Sequence, residues 1–140
     1  HDAMEDCPAE TCKAIADHDL QIMVPALGLM TDVQAPNRRQ RKSLTCKKTQ
    51  EIVQSMVFSY GQDYDNLDQM LLWKALAVKI ADRLANMRSS KRDRPDLFKM
   101  YVREADMFEL AYRTHVTPDY LTGVENMWTE ISQLVEEAGE

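Results

Sequence analysis

Between Pro36 and Pro95 the chain carries no proline, and Gly61 is the only glycine in that stretch. Proline in a helix interior deletes a backbone hydrogen bond and clashes with the preceding turn, whereas an interior glycine costs only about 1 kcal/mol relative to alanine. The apolar residues Ile52, Val53, Met56, Val57, Tyr60, Tyr64, Leu67, Leu71, Ala75, Val78, Ile80, Ala81, Leu84 and Met87 recur three to four positions apart, the period of one buried helix face. The spacing predicts a single helix of about forty residues from Thr45 to Met87. Two helices meeting near Gly61 are the alternative.

Shorter amphipathic segments flank this rod. A helical period runs through Cys12, Ile15, Ala16, Leu20 and Met23 until Pro25 interrupts it, and Ala35-Pro36-Asn37 reads as a loop. Ser89 to Pro95 reads as a polar connection. Pro95-Asp96 then opens a helix whose apolar face is Leu97, Met100, Tyr101, Ala105, Phe108, Ala111 and Tyr112, and Thr117-Pro118-Asp119 repeats that start signal for a last helix through Tyr120, Leu121, Val124, Met127, Trp128, Ile131, Leu134 and Val135. With 4 Gly and 5 Pro in 140 residues, few long elements are expected, and no segment reads as a strand. The expected fold is an all-α, compact, single-domain helix bundle over residues 1–140, with residues 1–11 loosely ordered.

No apolar run reaches the roughly 18 residues that a bilayer span needs, so the chain reads as soluble. It opens His1-Asp2-Ala3 without an initiator Met or an apolar signal segment, as a mature secreted form or a fragment does. The three cysteines, Cys7, Cys12 and Cys46, cannot all pair within one chain. A bridge from Cys7 or Cys12 to Cys46 is expected, with the remaining thiol free or joined to another molecule. Zinc held by Cys7, Cys12 and His18 has no standard spacing and no evident fourth ligand.

The net charge of -6 hides a segregated pattern. The start is acidic through Asp2, Glu5, Asp6, Glu10, Asp17 and Asp19, and the region from Glu104 onward is acidic again. Between them lie two basic clusters, Arg38, Arg39, Arg41, Lys42, Lys47 and Lys48, then Arg83, Arg88, Lys91, Arg92 and Arg94. A charge run is most often a solvated face; two basic clusters at loop-like positions are also candidate contact surfaces.

Motifs for catalysis are sparse. No Gly-rich phosphate loop, Gly-x-Ser-x-Gly elbow or His-Glu-x-x-His pair occurs. Asp63, Asp65 and Asp68 lack the glycine and the closing glutamate of a calcium loop. Glu104, Asp106 and Glu109 read as solvated charge on a helix, and His115 has no evident nucleophile to serve. Trp73, Trp128 and most of the 9 Met read as core, with some Met available for an adaptable interface. No metal or cofactor is expected, and no catalytic residue.

Two short stretches carry a resemblance. Met70-Leu71-Leu72-Trp73 in the long helix and Pro118-Asp119-Tyr120-Leu121 before the last one, with 45 residues from Trp73 to Pro118, resemble the sperm lysin family of abalone and related marine snails. In that family a Met-Leu-Trp sits in the long second helix and a Pro-x-Tyr-Leu at the last helix start. Chain length, helix order and the Thr49-Gln50 opening also fit, so the resemblance covers about Ser43 to Ile131, with Ala105 to Leu110 a looser match. It implies a secreted protein, stored in the sperm acrosome, that binds egg-coat glycoprotein stoichiometrically without cleaving it, or acts at membranes as the eighteen-kilodalton paralogue does. Relatives of that kind are strongly basic, whereas the sequence pI here is about 5.1, and the three cysteines have no counterpart in them.

The family's basic tracks correspond in position to Arg38 to Lys48 and Arg83 to Arg94, which are therefore the expected contact surface. Expected partners are an egg-coat glycoprotein or a basic acrosomal paralogue, with a membrane surface or a second copy as further partners and no nucleic acid. The alternative function is a secreted helical signalling protein or a carrier of an apolar ligand.

Overall fold

The computed structural model describes residues 28–59 and 67–139. Those residues are all-α, with no strand among them. The helices are α1 (Arg38–Ser59), α2 (Leu67–Asp93), α3 (Pro95–Arg103), α4 (Ala105–Tyr112) and α5 (Val124–Ala138), with a 3-10 turn at Asp119–Leu121. The chain divides into two units, His1–Leu76 and Ala77–Glu140, and the boundary falls inside α2. No described helix is long and apolar enough to cross a membrane.

In the first unit, α1 begins seven residues before the expected Thr45, because Asn37 caps it. The Asn37 side-chain oxygen accepts the Gln40 backbone N–H at 2.9 Å, and the Arg41 N–H donates to the Asn37 carbonyl at 2.9 Å. Pro36 and Asn37 thus end the loop and start the helix, as N-cap chemistry requires. The buried face of α1 is Thr45, Thr49, Val53 and Met56, a helical stripe that is polar in its first half. The reason is the segment before the helix. Val33 N–H donates to Thr45 Oγ1 at 2.8 Å, and Lys48 Nζ reaches the Thr31 carbonyl at 2.5 Å. Buried backbone groups need such partners, so a threonine stands where a leucine would leave the Val33 N–H without an acceptor.

The middle of the expected rod, with Gly61, Asp63 and Asp65, lies outside the described residues, as do Cys7, Cys12, His18, the segment 1–11 and the first helical period. On either side of that gap the helical reading holds. In α2 the buried positions Trp73, Leu76, Ile80, Leu84 and Met87 follow one another at three- and four-residue steps, as the apolar period requires. Trp73 and Trp128, only 3% and 1% exposed, are core residues, as their spacing predicts.

The second unit departs from the sequence reading at three junctions. Ser89 to Asp93 is helix, not connection: Ser90 is buried, its hydroxyl donates to the Met87 carbonyl at 3.2 Å, and Arg94 N–H closes the helix on the Ser90 carbonyl at 2.7 Å. Only Arg94 interrupts, at φ -140° and ψ 77°, because a residue preceding proline is driven out of the α region. Pro95 then takes the first position of α3, where its missing N–H costs nothing.

The expected helix over 95–112 is two helices that meet at Glu104 (φ -86°, ψ -4°). Glu104 N–H donates to the Met100 carbonyl at 3.1 Å and its own carbonyl accepts from Phe108 at 2.9 Å. The last helix starts at Val124 rather than Pro118; Thr117-Pro118-Asp119 instead opens the 3-10 turn, closed by Leu121 N–H on the Pro118 carbonyl at 2.9 Å. The core of this unit stacks Phe108 on Tyr112 with ring centroids 4.4 Å apart, and sets Phe108 against Trp128 at 5.7 Å.

Candidate functional site

The two basic clusters meet different fates. In the first, Lys42 pairs with Asp32 at 2.5 Å and Lys48 holds the Thr31 carbonyl, both partly buried. Together with the Val33 to Thr45 bond they fasten the segment 31–33 along α1, so Lys42 and Lys48 are committed to the fold. Arg39 and Lys47 are exposed, Arg38 and Arg41 half-buried. Arg39, Arg41 and Lys47 have no carboxylate partner among the described residues.

The first turn of α1 contains no acidic residue, although the positive end of the helix dipole favours one there. Arg38, Arg39 and Arg41 add to that positive end. The same stretch borders an open groove of about 750 Å³ lined by Gln34, Pro36, Asn37, Arg39, Ser43 and Leu44.

Every cation of the second cluster has a carboxylate partner. Arg83 pairs with Glu104 at 3.2 Å, its side chain 11% exposed and that of Glu104 14%. The Arg83 guanidinium also lies 4.8 Å from the centroid of the Tyr101 ring and 4.5 Å from that of Phe108. This arginine therefore holds the α3–α4 junction through the carboxylate of Glu104 and two cation–π contacts that are largely shielded from water. Arg88 makes a two-pronged bond to Glu130, Lys91 reaches Glu137 at 2.5 Å, Arg92 binds Asp93 at 2.9 Å and Arg94 binds Asp96 at 3.2 Å.

Hydrogen bonding to these guanidinium groups holds Glu130, Asp93 and Asp96 below their ordinary carboxylate values and raises Arg88, Arg92 and Arg94 in turn. The second cluster is thus neutralised at short range.

A second open groove, of about 840 Å³, lies in the second unit and is lined by Asp106, Glu109, Leu110, Arg113, His115 and Glu125 among others. Arg113 donates to Glu109 at 2.9 Å and to Glu125 at 3.4 Å, and its guanidinium carbon is 5.8 Å from the Trp128 ring centroid. Asp106 and Glu109, which as sequence read as solvated helix charge, and His115, which had no evident nucleophile to serve, line the same groove here. Glu104 is not among them, being engaged with Arg83.

Arg113 and Glu125 carry no motif. Only the Glu109 to Arg113 spacing of four residues, favourable on a helix, is legible beforehand.

Cys46 is half-buried on α1; its candidate bridge partners lie outside the described residues. No group of three or more metal-ligating side chains occurs among the described residues.

No protein-family model, curated protein or solved structure matches the chain.

Proposed function

We propose that this is a secreted, non-enzymatic, lysin-like protein of the sperm acrosome. It acts in fertilisation by binding egg-coat glycoprotein, egg membrane or another gamete protein, with the start of α1 as its contact surface. The all-α fold supports this reading. So does the position of Met70 to Trp73 within the long helix α2; Pro118 to Leu121 departs from the family position, since it opens a 3-10 turn and the last helix starts at Val124.

The choice of surface rests on one observation, the exposed Arg39 and Lys47 and the half-buried Arg41, which have no carboxylate partner among the described residues, beside a helix N-terminus that has no acid of its own. A cationic patch on a chain of net charge -6 steers an anionic partner to one place and away from the rest. Arg83 to Arg94 leave the proposed surface, since their charge is spent on Glu104, Glu130, Glu137, Asp93 and Asp96.

Binding to immobilised egg-coat glycoprotein tests the proposal, with antibody localisation in sperm alongside. Saturable binding that weakens between about 0.05 and 0.5 M salt, lost in an Arg39→Glu/Arg41→Glu variant, is expected, together with acrosomal staining. Binding equal in the variant, or a protein absent from the acrosome, contradicts it.

Asp106, Glu109, Glu125 and His115 favour a second reading, hydrolysis in the groove of the second unit. Both Glu109 and Glu125 are tied to Arg113 and the groove is open to water, an arrangement that suits binding better than the paired acid and base of a hydrolase. Turnover of an egg-coat glycan that disappears in Glu109→Gln or His115→Ala would establish that reading instead.

A further inference from the structure

We propose that the bond between Arg39 and Gln40 is a processing site for an endoprotease that reads paired basic residues, and that the two pieces stay together after the cut. Four pairs of adjacent basic residues occur among the described residues: Arg38-Arg39, Arg41-Lys42, Lys47-Lys48 and Lys91-Arg92. A protease of this class draws the second residue of the pair into a pocket that ends in a carboxylate, so that side chain has to be open. In the last three pairs it is already held. Lys42 is bound to Asp32 and Lys48 to the Thr31 carbonyl, each at 2.5 Å, and Arg92 is bound to Asp93 at 2.9 Å. Arg39 is exposed and has no carboxylate partner among the described residues. Single arginines at the ends of other helices are closed as well. Arg94 is followed by Pro95, whose tertiary amide such proteases do not cut, and Arg113 is held by Glu109 and Glu125.

Cleavage also needs the backbone to lie extended in the protease, and at this bond the cost is low. Residues 32–37 are already outside the helix, and Pro36, Asn37, Arg39 and Gln40 are exposed. Only the first turn of α1 has to open, and the opening ends before Lys42. That turn contains no acidic residue, and Arg38, Arg39 and Arg41 oppose the helix dipole. Its N–H groups lack intrahelical acceptors, so the Gln40 N–H relies on Asn37 Oδ1 and the Arg41 N–H on the Asn37 carbonyl, each at 2.9 Å. Local opening of this kind, and not global unfolding, sets where a folded chain is cut.

In the step itself one water adds across the Arg39–Gln40 amide. The carbonyl carbon gains the hydroxyl and loses its bond to nitrogen, the nitrogen gains the hydrogen, and Arg39 ends as a carboxylate while Gln40 begins as an amine. The contacts that follow the cut reach back across it. Lys42 to Asp32, Thr45 to Val33 and Lys48 to Thr31 each join a residue after the cut to one before it, and Leu29 on the earlier piece is fully buried. The pieces therefore remain one folded particle. What changes is the start of α1, where Arg38 and Arg39 leave the helix together with the Asn37 cap.

This inference does not depend on the proposed fertilisation role, and its test reads mass rather than egg-coat binding. The full chain, kept reduced so that Cys46 bridges nothing, is digested briefly with trypsin as the probe and followed by intact mass. The protein recovered from its natural source is weighed for the same two pieces. The first cut is expected within Arg38 to Gln40, at least about tenfold faster than after any other basic residue described. Its rate should barely change with urea below the unfolding transition, because only one turn opens. Asn37→Ala, which removes the cap, should speed it about fivefold. Arg38→Gln/Arg39→Gln should slow it at least about tenfold with helicity unchanged. The nicked protein should run as a single particle in sedimentation and part only in urea, and the natural protein should contain a piece ending at Arg39 and one beginning at Gln40.

A faster cut after another described basic residue, a rate untouched by Asn37→Ala, pieces that separate without denaturant, or a natural chain intact across Arg39–Gln40 would each overturn the inference.

Discussion

The two basic clusters are nearly equal in sequence and opposite in use. From Arg88 on, the second cluster lies on the last turns of α2 and at the α2–α3 junction, where cations suit the negative end of the helix dipole. Carboxylates of α5, and those adjacent in sequence, close on it. The first begins at the positive end of α1, where Arg38, Arg39 and Arg41 stand against the dipole, and three of its members have no carboxylate among the described residues. Charge placed where it helps folding and is neutralised reads as architecture. Charge placed where it hinders folding and is left open is the better candidate for a partner. Lys42 and Lys48 refine the contrast, because inside the first cluster they do structural work on residues 31–33.

The largest expected effect tests the architectural end of this contrast. Replacing Arg83 with Ala leaves Glu104 largely buried without its partner and removes two ring contacts, and should cost about 2–4 kcal/mol in urea unfolding. The double change Arg83→Met/Glu104→Gln should recover most of that loss. Next in size, Thr45→Val removes the acceptor of a part-buried backbone N–H and should cost about 1–3 kcal/mol by the same measurement. By contrast, Arg39→Glu with Arg41→Glu should leave stability within about 0.5 kcal/mol of wild type or raise it slightly, since acids suit a helix start.

The smallest effects belong to the exposed pairs. Glu130, Asp93 and Asp96 are held below their ordinary values by hydrogen bonds from Arg88, Arg92 and Arg94. A carboxylate with a lowered folded value contributes stability that is complete above its unfolded value, near 4.5 for Glu and 3.8 for Asp. The contribution is lost as pH falls through the folded value. Glu130→Gln should therefore narrow the difference in thermal midpoint between pH 7 and pH 3, and added salt should shrink that effect further.

Much of the fold was readable because it depends on local rules. The apolar period marked α1 and α2 as helices and part of their buried faces, although Val78 and Ala81, counted on that face, are exposed and the buried Leu72 and Leu76 were not counted on it. Pro95 marked the start of α3, and Asn37 followed three residues later by Gln40 was a readable cap that would have moved the helix start back to Arg38. The junctions at Glu104 and Gly123 were hidden, since neither carries a proline and both residues stay near helical angles. Thr45 and Thr49 were also silent as core positions; Thr45 enters the buried stripe because the Val33 N–H, 12 residues away, needs its hydroxyl.

The electrostatic division was the least legible. Arg88 and Glu130 are 42 residues apart, and nothing in the sequence says that Arg88 meets an acid while Arg39 and Arg41 meet none among the described residues.

The most direct test of that division compares two charge reversals on one binding curve. Affinity for immobilised egg-coat glycoprotein would be measured for wild type, Arg39→Glu/Arg41→Glu and Arg88→Glu/Lys91→Glu across a salt series. A loss of at least about tenfold confined to the first variant, with a shallower salt dependence, is the predicted result. Equal losses in both variants, or a larger loss in the second, would contradict it.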